Sequence, residues 1–158
     1  MSKITPFLWF NDNAEEAMNF YVSIFKNSKV LNVSRYGEGG PKPAGTVMTA
    51  NFLLDGQEVM ALNGGPEFKF NEAISFYVNC EDQAEVDLYW DRLCVDIADA
   101  QCGWIKDKFG LWWQIVPNEL LRLLGDPDPL KAQRVMQAML QMKKIEVSGL
   151  RRAYENQD

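Results

Sequence analysis

A β-α-β-β-β pattern occurs twice in this chain, and a repeated unit of that kind narrows the fold more than any single element does. In the first copy, residues 4–10 form an apolar, β-favouring run with Pro6 near its start. Asn13-Ala14-Glu15-Glu16 then offers a helix start, in which Asn13 can cap and Glu16 can reach back to it. Ala17, Phe20, Tyr21 and Ile24 follow at helical spacing. Strands are predicted over residues 30–36, 46–54 and 58–62, and Asp55-Gly56 is a tight hairpin signal between the last two. The second copy opens with a strand over 73–80, a second capping box at Asp82-Gln83-Ala84-Glu85, and Val86, Tyr89, Trp90 and Leu93 at helical spacing. Residues 102–105 and 111–116 read as strands around a turn at Lys108-Phe109-Gly110. Asn13/Asp82, Glu16/Glu85, Phe20/Tyr89, Tyr21/Trp90 and Phe7/Phe76 all stand 69 positions apart. The second copy is shorter between its helix and last strand, and its acidic segment 95–101 is open between loop and strand.

A different pattern follows. Asp126-Pro127-Asp128-Pro129 gives a cap residue with proline at the first helical position. Val135, Met136, Met139, Leu140 and Met142 form an apolar stripe, with Lys131, Arg134, Gln137, Gln141 and Lys144 on other faces. A last short helix is expected from Val147 to Tyr154. The stripe is expected to pack on its own domain, with a subunit boundary as the alternative. A chain of 158 residues suffices for one domain with a real core. The expected layout is therefore a single domain over 1–158: module one about 3–66, module two about 73–117, and a helical tail about 118–155.

Composition removes several functions. The chain has no histidine, which excludes His-based acid–base chemistry, Ser-His or Cys-His nucleophiles, and every histidine metal site. Net charge is −6 with no basic block, so nucleic acid is not expected as a partner. No run of about 18 apolar residues predicts a membrane span. The N-terminus enters strand-like sequence at once and lacks a signal peptide's apolar core and cleavage site. Cys80, Cys94 and Cys102 are odd in number, widely spaced and outside any CxxC, as expected of reduced thiols in a cytoplasm. Cys102, near Trp104 and Lys106, reads either as an inert cysteine or as a thiol activated by the nearby ammonium.

The repeat, with an aromatic pair in each helix, resembles the vicinal-oxygen-chelate superfamily of glyoxalase and bleomycin-resistance proteins. The closer similarity is to the PhnB-like family, labelled 3-demethylubiquinone-9 3-methyltransferase. It is carried by residues 4–10 (ITPFLWF), Ala14-Glu15-Glu16-Ala17 with Phe20-Tyr21, Leu54-Asp55-Gly56-Gln57 and Leu62-Asn63-Gly64-Gly65-Pro66. The second half adds residues 102–111 (CGWIKDKFGL), Trp113-Gln114-Ile115-Val116-Pro117 and the Asp126-Pro127-Asp128-Pro129 tail, so that the similarity spans about residues 3–154. It implies an α+β fold in which two βαβββ modules form a cupped, antiparallel-rich mixed sheet around a cavity, with C-terminal helices and a homodimeric assembly. Two departures stand out: residues 95–100 lack the glycines usual in an acidic linker there, and Trp112 replaces a smaller residue.

Metal-dependent members of the superfamily draw ligands from the first and last strand of each module. Gln114 falls at such a position, but its counterpart is Leu62, and the first-strand positions fall near Thr5 or Pro6 and near Ile74 or Ser75. That set predicts no metal. Methyl transfer from S-adenosylmethionine is implied by the family label alone. Gly39-Gly40 and Gly64-Gly65 read as turn glycines, not as a glycine-rich strand-to-helix turn, and no cofactor is expected. Among candidate bases (Glu58, Tyr77, Glu81, Lys106, Asp107), Asp107 reads as a turn former. Five tryptophans and 12% aromatics leave two readings, an aromatic core or an aromatic ligand pocket. In the pocket reading, Phe7, Trp9, Met60, Phe76, Trp104 and Trp113 line a metal-free cavity for a small, partly aromatic or amphipathic molecule, with Asn63 and Gln114 as polar anchors. Strand parity decides between the two. An enzyme of the same cavity is the alternative function.

Overall fold

In the computed structural model, which describes residues 2–157, the elements form two compact units whose boundary falls in sequence after Phe70. The fold is α+β. The first unit runs β1 (Phe7–Phe10), α1 (Ala14–Ile24), β2 (Lys29–Arg35), β3 (Val47–Leu54) and β4 (Gln57–Asn63). Its sheet has the order β1-β4-β3-β2, with β1 parallel to β4 and the other pairs antiparallel. Asp55 and Gly56 take φ of 48° and 80°, the double left-handed conformation of a two-residue hairpin turn, and join Leu54 to its register partner Gln57. One side of the sheet is packed: Leu8, Phe10, Ala50, Phe52, Val59 and Ala61 are buried, and so are Ala14, Ala17, Met18, Tyr21 and Ile24 of α1. Alanines at 14 and 17 let the helix approach the strands closely.

The start of α1 differs from the expected capping box. Asn13 makes no side-chain cap bond. The amide oxygen of Asn63, 49 positions later on β4, accepts the Ala14 N–H at 2.9 Å instead. Its NH2 donates to the Val47 carbonyl at 3.0 Å. At α2 the local cap is made as expected: Asp82 accepts from the Glu85 N–H, and the Glu85 carboxylate accepts from the Glu81 N–H, one residue before the cap.

The second unit contains β5 (Phe76–Cys80), α2 (Gln83–Leu93), a 3₁₀ turn (Ile97–Asp99), β6 (Trp104–Lys106) and β7 (Trp112–Pro117). Its sheet has the order β5-β7-β6, with β5 parallel to β7. Among the described residues it thus has one strand fewer than the expected βαβββ module. Only Cys94 to Gly103 separate α2 from β6, and Asp96 caps the 3₁₀ turn by accepting the Ala98 N–H. Too few residues remain for a further strand and its two turns. The helices carry the repeat faithfully: α1 and α2 are both 11 residues long and begin 69 positions apart. Tyr21 and Trp90 are buried at equivalent places, and Phe20 and Tyr89 are half-buried.

The tail folds as α3 (Asn118–Leu124), α4 (Pro129–Leu140) and α5 (Val147–Tyr154) and belongs to the second unit. Asp128 caps α4, with Pro129 in its first turn. Val135, Ile145 and Leu150 join Val116, Leu120 and Leu123 in one buried cluster, against which Met139 and Met142 pack. The methionine stripe therefore packs largely within its own unit, while Met136 and Leu140 remain exposed. Hydrogen bonds to Arg122 and then Arg151 hold the Glu119 carboxyl down to about 2, tying α3 to α5. No helix among the described residues is long and apolar enough to cross a membrane.

Candidate functional site

Strand register sorts the expected pocket residues onto two faces of each sheet. In the first unit, Phe7 pairs with Met60 and Trp9 with Leu62, so all four point to the side opposite the buried core. Phe7 is 50% exposed, and Trp9, Met60 and Leu62 are half-buried. The antiparallel partners extend the same face: Thr49 opposite Leu62, Asn51 opposite Met60 and Leu53 opposite Glu58. The result is an aromatic column on β1, an apolar column with Glu58 at one end on β4, and a more polar column on β3. The expected anchor Asn63 is absent from this face. It is 2% exposed on the core side, and its amide serves the backbone as described above.

Trp9 is held in place. Its indole N–H donates to the Gly65 carbonyl at 2.9 Å, and Phe68 packs edge-on at 4.9 Å. Gly64, read from sequence as a turn glycine, has a further reason: a Cβ there would stand 2.3 Å from the Trp9 ring. Gly64→Ala is expected to cost about 2 kcal/mol through overpacking. Trp9→Leu in the same chain should recover part of that loss. Thermal unfolding of the three variants checks this, and a Gly64→Ala protein as stable as the parent would show that the indole is not confined.

In the second unit the parity is reversed relative to the 69-residue repeat. Phe76 pairs with Trp113 and Val78 with Ile115, on the side where Cys80, Ile105, Trp113 and Ile115 are buried. Phe76 and Trp113 meet edge-to-face at 5.2 Å. Both belong to the packed side and not to the face that carries Trp104 and Gln114, which pair with each other across β6 and β7. The cause is one residue of loop. Three residues separate β1 from α1, and two separate β5 from α2. Since side chains alternate along a strand, that single residue turns the whole strand over. Tyr77, 43% exposed, and Asn79 thus occupy the open face where the repeat pointed to Phe76 and Val78. Gln114 donates to the Ser75 hydroxyl at 3.0 Å. Lys106 pairs with Asp99 at 3.1 Å and lies 5.9 Å over the Trp112 ring.

The candidate base Asp107 has a structural task. Asp107 is 3% exposed and accepts from the N–H groups of Phe109 and Leu111 and from the Trp113 indole at 2.8–3.1 Å. Burial pushes the Cys80 thiol up to about 12, so it stays protonated. Cys102 receives a hydrogen bond from the Gln101 amide at 3.3 Å. Among the described residues no three of His, Cys, Asp and Glu are grouped to hold a metal.

With these faces in view, comparison with known proteins is decisive at the level of family. A family model described as 3-demethylubiquinone-9 3-methyltransferase matches residues 2–116. The chain belongs to this family. The PhnB protein from Bacillus cereus is 41% identical, covering 73% of this chain and 99% of its own, with a TM-score of 0.67. The protein PA1353 from Pseudomonas aeruginosa, 22% identical, covers 74% of this chain and 98% of its own at a TM-score of 0.57, which speaks to fold alone. No curated protein matches the chain. The family match of this PhnB-like chain ends at the close of β7, so helices α3 to α5, and with them the Asp126–Pro129 tail, lie beyond it.

Proposed function

We propose that this PhnB-like protein binds a small, partly aromatic or amphipathic molecule through the open face of its first sheet, with Trp104, Tyr77 and Gln114 offering similar chemistry on the second. The observation that carries the reading is the register of β1 on β4. It sets Phe7, Trp9, Met60 and Leu62 side by side on the face that the core does not use, with Phe7 half exposed. An apolar, aromatic surface with a few polar groups at its margin is the usual make-up of a small-molecule site. A homodimer in the cytoplasm is part of this proposal. The three unpaired cysteines agree with a reducing compartment.

The enzymatic alternative is the methyl transfer in the family's name. The strand-to-helix connections before α1 and α2, residues 11–13 and 81–82, lack glycine, so neither offers the close backbone approach that a nucleotide-type methyl donor uses in parallel-sheet enzymes. The discriminating experiment is native mass spectrometry of the purified protein followed by a denatured run. The expected result is a dimer that carries an organic mass, lost on denaturation and reduced in Met60→Ala. A bare protein that also gives no thermal shift with naphthalene-type compounds would overturn the binding reading. Formation of S-adenosylhomocysteine from S-adenosylmethionine and a phenolic acceptor would replace it with the enzymatic one.

A further inference from the structure

We infer that Glu58 and Asn51 form the polar end of the first sheet's open face, and that they select an apolar or aromatic ligand carrying a protonated amine. This inference rests on the binding reading above and adds the charge of the ligand. Glu58 lies on β4 two residues before Met60, and its side chain shares a face with Met60 and Leu62 because β-strand side chains alternate. The Asn51 NH2 donates to Glu58 Oε1 at 3.1 Å across the strand pair. That bond fixes the carboxylate and leaves Oε2 without a protein partner among the described residues. Among the described residues no fully buried side-chain oxygen or nitrogen lacks a partner, so Oε2 is accessible from the face.

The neighbourhood gives this carboxylate its selectivity. It is half-buried between Leu53 opposite and Met60 beyond, and Phe7 pairs with Met60 one strand further on. Thr49 and Ser34 bond each other at 2.6 Å, so the hydroxyls of that margin are engaged. Lys29, opposite Leu53 on edge strand β2, brings a positive charge two strands or about 10 Å from Glu58. An ionised carboxylate is an acceptor only, and opposite charge strengthens a hydrogen bond to it. A ligand with an aromatic body over Phe7 and Met60 and an ammonium at Oε2 satisfies both parts of the face. A ligand carboxylate would meet a like charge in a partly desolvated place.

Three compounds of one shape test this on the full chain: 2-naphthylmethylamine, 2-naphthalenemethanol and 2-naphthoate, titrated by calorimetry at pH 7. The amine is expected to bind about tenfold more tightly than the carboxylate. Glu58→Gln, which keeps an amide able to pair with Asn51, should bring that ratio close to one. Asn51→Ala keeps the charge but frees the carboxylate, and should lower the amine preference without abolishing it, whereas Met60→Ala should weaken all three compounds. Equal binding of amine and carboxylate to the parent protein, or an amine preference untouched by Glu58→Gln, would overturn the inference and leave the binding reading intact. No measurable binding of any of the three would overturn both.

Discussion

Removal of residues 126–158 is expected to unfold the second unit, although the family match ends before that segment. The tail contributes Val135, Ile145 and Leu150 to the buried cluster, each essentially inaccessible. Truncating one such side chain to alanine costs about 2–5 kcal/mol. Losing all three together costs about as much as the whole stability of a domain, about 5–15 kcal/mol. The backbone is involved as well. The Cys102 and Gly103 N–H groups donate to the carbonyls of Met142 and Lys143. Gln83 of α2 bonds Ile145 and Val147, and Lys144 pairs with Asp87. Gly103 has no room for a side chain, since a Cβ would stand 2.9 Å from both the Ile115 carbonyl and Ile145. Limited proteolysis and circular dichroism of the truncated chain check the expectation. A soluble, cooperatively unfolding product of residues 1–125 would show that the tail is an appendage. Ile145→Ala, expected to lose about 3 kcal/mol, tests the same contact without a truncation.

The second large effect is expected at Asp107. Asp107→Ala leaves the N–H groups of Phe109 and Leu111 and the Trp113 indole without their acceptor. A buried donor left unpaired costs about 1–3 kcal/mol, so the total loss should reach about 3–5 kcal/mol. Asp107→Asn keeps the shape and one acceptor oxygen, and should lose about half as much. Chemical denaturation gives both values. A fully stable Asp107→Ala protein would reopen a functional role for this carboxylate, because nothing structural would then account for its burial.

Much of the architecture is legible in the residues because helices advertise themselves locally. Asp82 and Glu85 cap α2 from within one turn, Asp128-Pro129 starts α4, and Asp55-Gly56 turns the β3–β4 hairpin. Each signal acts over a few bonds. The Asn13 cap was equally plausible on local grounds, but the structure satisfies the same helix end with Asn63 from a distant strand. For the same reason Asn63, expected from sequence as a polar anchor of the pocket, has its amide engaged by the backbone. Strand faces were harder still. The repeat placed Phe76 with Phe7, and a loop one residue shorter before α2 reversed the second strand. In the sequence Tyr77 stands out only as a candidate base and Asn79 not at all, although their exposure puts them where Phe7 and Trp9 stand in the first unit.

The amino-acid sequence by itself determined the α+β class, the repeat, the family and the absence of histidine chemistry. The family follows from the resemblance of its motifs, and the rest from periodicity, capping and composition, which depend on neighbours in the chain. Only the tertiary structure decided which aromatic residues face outward and which belong to the core. It also gave Asn63 and Asp107 to backbone support, and joined the tail to the second unit. Those outcomes depend on strand register and on contacts across tens of residues, and one residue of loop length is enough to change them.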